Sequence, residues 1–567
     1  MYKKFSYSKT RLLSKTLFTF VLFFSVSFGH GQVVINELMA SNDITVFDEQ
    51  GEYDDWLELY NTTSSNIDIS GMHLTDDLSE LTKWTIPAGT EIPPYGFLLL
   101  WADRNEADGS LHTNFKLNAN GEHLALVSSD GTTILDDIVF STQITDISFG
   151  RFPDGGENWH YLTVPSPEFE NYESELIGIS STPLFSNAAG YYMENLLLEL
   201  SSETTEGTIY YTRDGSTPTP NDFPYTAPFH IFTGSDSIEV IKARTFRDGY
   251  FPSGTVTNTY LLNPAFNLPV ISLSTDPANF FDEEIGIYVT GNEAQENFPY
   301  WGSNFWSDCP HSDRRRYNCD NWERPVHIEF FEPDGSLGFG VDAGARIHGH
   351  WMRGLPQKTI AIIARDQYGD SEINYPIFPN VPINEFQAIL LRSSGNDWSS
   401  TMIRDALASS LGESRDLDVM AYRPSILFIN GEYWGIHNIR EKINEHFIRS
   451  HHAIPIEGMD IIENSYGTWP NYGTMENYDY MRDFLNSHNI ENDANYAMAA
   501  DLIDIDEFIN YTIMETYASN WDWIGGNCKR WYAPGQKWRW ILNDLDAGFN
   551  QYPGQMHPPE ENMFDNN

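Results

Sequence analysis

KRWYAPGQKWRWILNDLDAGF, residues 529–549, decides the fold class of the long C-terminal region. Pro534 and Gly535 break an aromatic-rich run into two strand-like halves, which is the composition of a hairpin. Its second half delivers Asp544 and Asp546. Side chains two apart on a strand face the same side, so the two carboxylates are expected to converge, and their repulsion calls for protons or a cation. A hard-oxygen magnesium or manganese site meets that demand; two solvated turn carboxylates are the plainer alternative.

Upstream, Leu502, Ile505, Ile509, Ile513 and Tyr517 recur at three- and four-residue spacing, which predicts an apolar-faced helix over Asp501–Tyr517. It runs into NWDWIGGN, residues 520–527, where Asp522 and Asn527 stand five apart on a turn interrupted by Gly525 and Gly526. A second helix is predicted over Met402–Glu413. Strand-like runs such as PVHIEFF (325–331) and PSILFINGEYWGIHNI (424–439) surround these helices, so the region from about Leu268 reads as an α+β domain.

Phosphoryl transfer needs a cation on the phosphates, oxygen ligands for magnesium, and an acceptor for the substrate's hydroxyl proton. The D-x-x-x-x-N turn can hold a base, Asp522, beside a metal-facing amide, Asn527. GARIHGHWMRGLPQKTIAII, residues 344–363, supplies cations: Gly344, Gly349 and Gly354 punctuate a basic hairpin carrying Arg346 and Arg353 and ending at Lys358. Glycines let backbone approach a phosphate, and a Lys entering a strand can reach its oxygens. The spacing is neither a Walker loop nor G-x-G-x-x-G. His348 and His350 alternate on this hairpin, but no third zinc ligand stands at a recognisable spacing. G-x-S-x-G is absent, which removes the simplest hydrolase reading.

The N-terminal third is different. Short alternating runs, VVINEL, DWLELYN, GFLLLWA and EHLALVSS, are separated by turn residues from Val33 to about Pro165, the pattern of a β-sandwich. A second β stretch, Leu184 to Leu262, is richer in Thr and Ser. Before both, Lys3, Lys4, Lys9, Arg11 and Lys15 precede an apolar run from Leu17 to Phe28 and the small residues Gly29 and Gly31, so residues 1–31 read as a secretory signal peptide. No later stretch is long and apolar enough to span a bilayer. The chain is thus expected to be secreted or held at the cell surface. Asp and Glu number 81 against 33 Lys and Arg, a net charge of −48, which argues against a nucleic-acid partner. The 3 cysteines exclude a disulfide scaffold; Cys309 and Cys319 could pair outside the cell, leaving Cys528 as a buried thiol.

Three resemblances join these readings. Ile35, Asn36 and Glu37, then Trp56, Glu58, Tyr60 and Asn61, then IPAGTEIPPYGFLLLWAD and GRFPDG resemble a lamin-tail domain over residues 32–165, which implies an immunoglobulin-like sandwich used for attachment to the cell envelope or to glycan. IYYTRDGSTPTP, IEVIKARTF and TNTYLL, within residues 180–263, are similar to the small C-terminal β domain of chitobiases and hexosaminidases, an accessory module. Tyr210, Tyr211 and Asp214 could form a sugar platform there, or simply cross-strand packing and a turn.

NWERPVHIEFFEPDG, GARIHGHWMRGLPQK, LRSSGNDWSSTMIRDALASSL, INGEYWGIHNIREKINEHF, DEFINYTIMETYASNWDWIGGN and KWRWILNDLDAGF, in that order within residues 268–567, resemble the CotH kinase family. That resemblance implies an atypical kinase fold binding ATP with Mg2+ or Mn2+ and acting on a secreted or cell-surface protein. Lys358 would bind ATP phosphates, with Arg346 and Arg353 near them, and Asp522 would be the base. Asn527 and Asp544 would hold metal, with Asp546 competing for that role. Glu441 would lie near the nucleotide, either at the hinge or as a polar anchor, and Asp405 would orient the lysine. Asn543 departs from the family's usual Trp. Arg314, Arg315 and Arg316 form an inserted basic run, and the helical lobe expected after the DLD motif is not reached before Asn567, so the domain reads as incomplete.

Overall fold

The computed structural model describes residues 32–174, 176, 178–232, 238–262, 266–292, 322–349, 351–464, 467–523 and 526–549. The signal peptide, the Cys309–Cys319 pair, the arginines at 314–316 and His350 lie outside the described residues. The chain divides into two compact units, residues 1–178 with 249–251, and residues 179–248 with 252–567.

The first unit contains a five-stranded antiparallel sheet in the order Trp159–Leu162, Ser148–Arg151, Val33–Met39, Trp56–Asn61, Phe97–Trp101, and a four-stranded sheet in the order Trp84–Thr85, His73–Thr75, Gly121–Val127, Ile134–Ser141. Alternate residues of both enter one core: Ile35, Leu57, Leu59 and Leu100 from the first, Leu74, Leu124 and Leu126 from the second. The sandwich expected from the alternation is therefore present. Its polar motif residues have structural work. Asn61 donates to the carbonyls of Ser65, Ile92 and Pro93 at 2.7, 3.0 and 2.9 Å, closing the turn after its strand. Asn36 donates to Asp154 at 3.0 Å and to Glu58 at 3.3 Å, which draws three separated parts of the sequence together.

In the second unit, the smaller β module has a five-stranded sheet, Gly190–Tyr192, Val256–Leu262, Glu239–Phe246, Thr208–Thr212, Phe223–Pro224, beside two short two-stranded ladders. Tyr211 stacks on Phe229 with ring centroids 4.7 Å apart, and Tyr210 meets Phe246 edge-on at 5.5 Å. The tyrosines are thus engaged in packing. Asp214 closes its own turn by accepting from the Ser216 amide at 3.0 Å. Gly215 has φ +87°, and a Cβ there would come within 2.2 Å of Asn430. That glycine lets the turn press against the neighbouring barrel.

The barrel is closed and seven-stranded: Val270–Ser274, Arg324–Phe331, Leu337–His348, Thr359–Ile363, Ala388–Arg392, Glu432–Glu441, Tyr422–Ile429, with the last strand running parallel to the first. Ile271, Leu273, Ile328, Phe330, Ile360, Ile362, Leu391 and Leu427 fill it. The sequence showed strands but not closure, because closure depends on register between strands remote in the chain. Beyond Glu441 lie the helices Glu445–His452, Glu476–Ser487, Asp493–Leu502 and Ile505–Ala518 and four strands that, with the earlier Asp418–Val419, form a five-stranded sheet ordered Asp418–Val419, Arg539–Leu542, Cys528–Tyr532, Asp460–Asn464, Thr468–Tyr472. The α+β expectation stands in this coarse form.

Both predicted helices are corrected. The first is shorter, Arg404–Ser410, since Met402 takes φ +61° just before it. The second begins at Ile505, where the Asp504 side chain accepts from the Glu507 amide as an N-cap. Its predicted apolar stripe faces outward, with Ile509 and Ile513 each 50% exposed and Tyr517 67%. The buried face carries Glu507, Tyr511, Met514 and Glu515 instead. Hydrogen bonds of the buried face go to the hairpin and to the turn before it: Glu507 accepts from the Trp540 amide at 3.1 Å, and Trp523 in the turn donates to the Tyr511 hydroxyl at 3.0 Å. For the barrel, Ile362→Ala is expected to cost about 2–5 kcal/mol, measured as a lowered denaturant midpoint for the second unit. A loss under about 0.5 kcal/mol would mean that the barrel interior is not close-packed there.

Candidate active site

The strand Arg539–Leu542 stops before the two aspartates, and Asp544 adopts φ +58°. The expectation that the carboxylates alternate along a strand is therefore corrected, yet they still converge. Arg392, the last residue of the barrel strand Ala388–Arg392, reaches both: its Nη2 lies 2.5 Å from Asp544 Oδ1 and 3.1 Å from Asp546 Oδ2. Its other terminal nitrogen lies 3.7 Å from Asp405 Oδ2 on the helix Arg404–Ser410. Asp405 also accepts from Arg440 at 2.5 Å and from the Leu545 amide at 2.9 Å. Arg440, fully buried, also donates to the carbonyls of Ala421 and Met420 at 3.0 and 3.1 Å and to the Ser409 hydroxyl at 3.4 Å.

Three carboxylates against two guanidinium groups leave one negative charge in excess, and the titration of the group reflects it. Burial works against ionising Asp405, but Arg392 and Arg440 overcome that and hold its pKa down at about 2. Asp546 is raised, by burial and by the charge of Asp544. Its two oxygens are spoken for: Asn396 donates its main-chain and side-chain nitrogens at 2.9 and 3.0 Å. Gly395 makes that embrace possible, because with φ +56° its Cβ would stand 1.9 Å from Asp546 Oδ2. Asp544, with 32% of its side chain exposed, is the more accessible carboxylate.

The turn after the helix Ile505–Ala518 joins the same cluster. Asn527, at φ +50°, donates its side-chain amide to Asp522 Oδ2 at 2.8 Å, which leaves its amide oxygen for a metal. Asp522 is raised, first by burial and then by the charge of Asp544. Asn520 links Glu515 at 2.9 Å to the Asp544 carbonyl at 3.4 Å, and its own buried Oδ1 accepts no hydrogen bond. Asp522 and Asn527 are thus joined by their own hydrogen bond, Asp544 and Asp546 by Arg392, and the charge of Asp544 is felt at Asp522. Hard oxygen donors around one excess negative charge suit a divalent ion.

The predicted cations divide. The Lys358 ammonium is buried and donates to the carbonyls of Arg353 and, at 3.0 Å, Leu355, above the Tyr288 ring. Burial pushes its pKa down to about 8. Its parity along the strand is that of Ile360 and Ile362, inside the barrel, whereas Arg392 shares the outer face with Leu390 and Ala388. Among the described contacts the carboxylates are met by Arg392, not by Lys358. Arg346 is tied to Glu323 at 2.6 Å. Glu441 has both oxygens occupied, by His451 at 2.8 Å and the Ala421 amide at 2.8 Å, which favours a polar anchor over a nucleotide contact. It lines a pocket with Gln387, Ala388, Lys442, Asn444 and Phe447.

Two cations that the sequence reading did not single out, Lys442 and Lys529, stand near enough to repel one another. Lys442 is pushed down to about 8, by burial and by Lys529. Lys529 is itself paired to Glu463, 3.4 Å away.

Residues 345–566 match the family model described as CotH kinase protein. The chain carries a CotH kinase family domain. Strands Val270–Ser274 and Arg324–Phe331 precede the matched CotH stretch but close its barrel, so the domain's structural unit begins earlier than the family match. Residues 27–141 match the Lamin Tail Domain model, and residues 198–260 match one described as Fn3 associated, a different description from the chitobiase-like module suggested by the sequence. No curated protein matches the chain. A solved structure of Clostridium thermocellum CbhA fibronectin(III)-like modules is aligned over 41% of this chain and 95% of that one, at 10% identity and a TM-score of 0.12, and carries no weight here.

Removing the Asp405 charge tests the CotH-domain cluster. Asp405→Asn is expected to cost about 3–5 kcal/mol at neutral pH, because it leaves Arg440 buried without its counter-ion. A depressed pKa means the stabilisation is complete above the unfolded-state value near 4 and is lost as pH falls toward about 2. The gap between wild type and variant in denaturant unfolding should therefore shrink below pH 4 and be flat above pH 5.

Proposed function

We propose that the CotH domain is an atypical kinase that transfers the γ-phosphoryl group of ATP to a hydroxyl of a secreted or cell-surface protein. The observation that supports this reading is that Arg392 holds Asp544 and Asp546 together while the charge of Asp544 reaches the hydrogen-bonded pair Asp522 and Asn527. In phosphoryl transfer, catalysis is positioning plus electrostatic stabilisation. Asp522 accepts the proton of the attacking hydroxyl, and its raised pKa suits a base. Asn527 and Asp544 would hold Mg2+ or Mn2+, whose role is to neutralise charge on the β- and γ-phosphate oxygens. Arg392, paired to Asp405 on a helix, plays the part first expected of Lys358: a strand-borne cation locked to a helix carboxylate and directed at the metal-binding acid. Asp546, with both oxygens committed to Arg392 and Asn396, positions that arginine instead of binding metal. Lys442 and Lys529 supply further positive charge for a triphosphate.

Export and attachment rest on the sequence. The amino terminus has the form of a signal peptide, no helix among the described residues is long and apolar enough to cross a membrane, and the lamin-tail unit offers a sandwich for envelope or glycan attachment. A second reading, a non-catalytic surface scaffold, is favoured by one observation: Arg392 already pairs with both Asp544 and Asp546, which competes with a metal for their oxygens. The two separate by experiment. Incubated with ATP and Mn2+, the chain should incorporate phosphate into itself or an acidic carrier protein, and Asp522→Ala should lower the rate about 10²–10⁴-fold. Asp544→Asn should weaken Mn2+ dependence more than Asp546→Asn does. Equal labelling in Asp522→Ala rejects the kinase; the absence of any Mn2+-dependent thermal shift with ATP selects the scaffold.

A further inference from the structure

A second constellation lies at one end of the lamin-tail sandwich, in the loop between Val33–Met39 and Trp56–Asn61 and the segment after Phe97–Trp101. Its centre is His112, whose side chain is 0% exposed. Nδ1 lies 2.6 Å from Asp103 Oδ2, and Asp103 is itself buried. This bond fixes the proton on Nδ1 and leaves Nε2 to face the opposite loop. There Glu49 Oε2 lies 3.2 Å away, and Asp48 offers an oxygen within 4.8 Å of both. Asp48 is 5% exposed. Its Oδ1 accepts from the Gln50 and Glu52 amides at 2.8 Å each, while its buried Oδ2 has no hydrogen-bond partner. Gly109 closes one side: a Cβ there would stand 2.8 Å from His112 Cδ2 and 3.2 Å from Nε2.

We propose that His112 Nε2, Asp48 and Glu49 form a binding site for a transition-metal ion of the Zn2+ class, with Asp103 as the residue that positions the imidazole. Two ligand atoms bound at about 2.1 Å in a tetrahedral site lie about 3.4 Å apart, close to the separation of His112 and Glu49. A carboxylate on the far nitrogen of a ligating imidazole is the usual second layer of such sites. An imidazolium shared by Asp103 and Glu49 would account for the two histidine contacts, but it leaves the buried Asp48 oxygen unsatisfied, a cost that an ion at Nε2 removes. Calcium fits poorly, since it takes six to eight oxygen ligands. Glu49, with 66% of its side chain exposed, leaves the remaining coordination position open to solvent.

The test is calorimetric titration of ZnCl2 into the metal-free full chain, with excess Mg2+ and Ca2+ present to occupy non-specific carboxylates. The expected result is one tight zinc per chain, bound equally by Asp544→Asn. Glu49→Gln, exposed and so neutral for folding, should bind more than about tenfold more weakly with an unchanged melting temperature in EDTA; Asp103→Asn should lose about 10–100-fold. No tight zinc in the wild type, or wild-type affinity in both Glu49→Gln and His112→Ala, overturns the proposal.

Discussion

The Arg392 guanidinium is the interaction on which the second unit's functional half depends. It leaves the end of a barrel strand and meets carboxylates from a helix, Asp405, and from the segment after the last hairpin, Asp544 and Asp546. Three pieces of chain more than 150 residues apart at the extreme are held by one planar, permanently charged group. Arginine suits this because its fork presents several donors in fixed geometry and keeps its charge when buried. Asp405 is in turn anchored by Arg440, so the helix, the barrel and the DLD segment share one electrostatic network.

Such a network is costly unless fully satisfied, because buried charges lose their hydration. Here the backbone completes it. The Leu545 amide serves Asp405, the Asn396 amide serves Asp546, and Gly395 removes the side chain that would block that approach. The left-handed conformations at Ser394 and Asp544 flank the contacts that Arg392 and Asn396 make with the DLD segment.

Much of this was legible in the sequence, and the exceptions have physical causes. Asp522 and Asn527 could be placed on a turn from their spacing, whereas Asp544 and Asp546 were expected on a strand that in fact ends at Leu542. Arg392 stood in the conspicuous string LRSSGND but carries no spacing that ties it to a residue 152 positions away; only the fold does. Lys358 looked like the phosphate cation because it enters a strand, yet strand parity directs it inward, and parity follows from the barrel's register. The stripe Ile505, Ile509, Ile513 and Tyr517 obeyed helical periodicity and still faces outward in large part, since Glu507 and Tyr511 satisfy hydrogen bonds to the hairpin. The sandwich was legible from alternation, whereas the His112 cluster joins two loops 63 residues apart and left no local signature.

The most direct measurement is a double-mutant cycle in denaturant unfolding between Arg392→Met and Asp544→Asn. Asp544 is partly exposed, so its variant should fold. The account expects a coupling energy of about 0.5–3 kcal/mol, diminishing only modestly in high salt because the pair is largely shielded from solvent. Additive effects, with coupling near zero, would show that the guanidinium does not bind the DLD segment to the barrel, and the reading of this cluster as an assembled phosphotransfer site would fall with it.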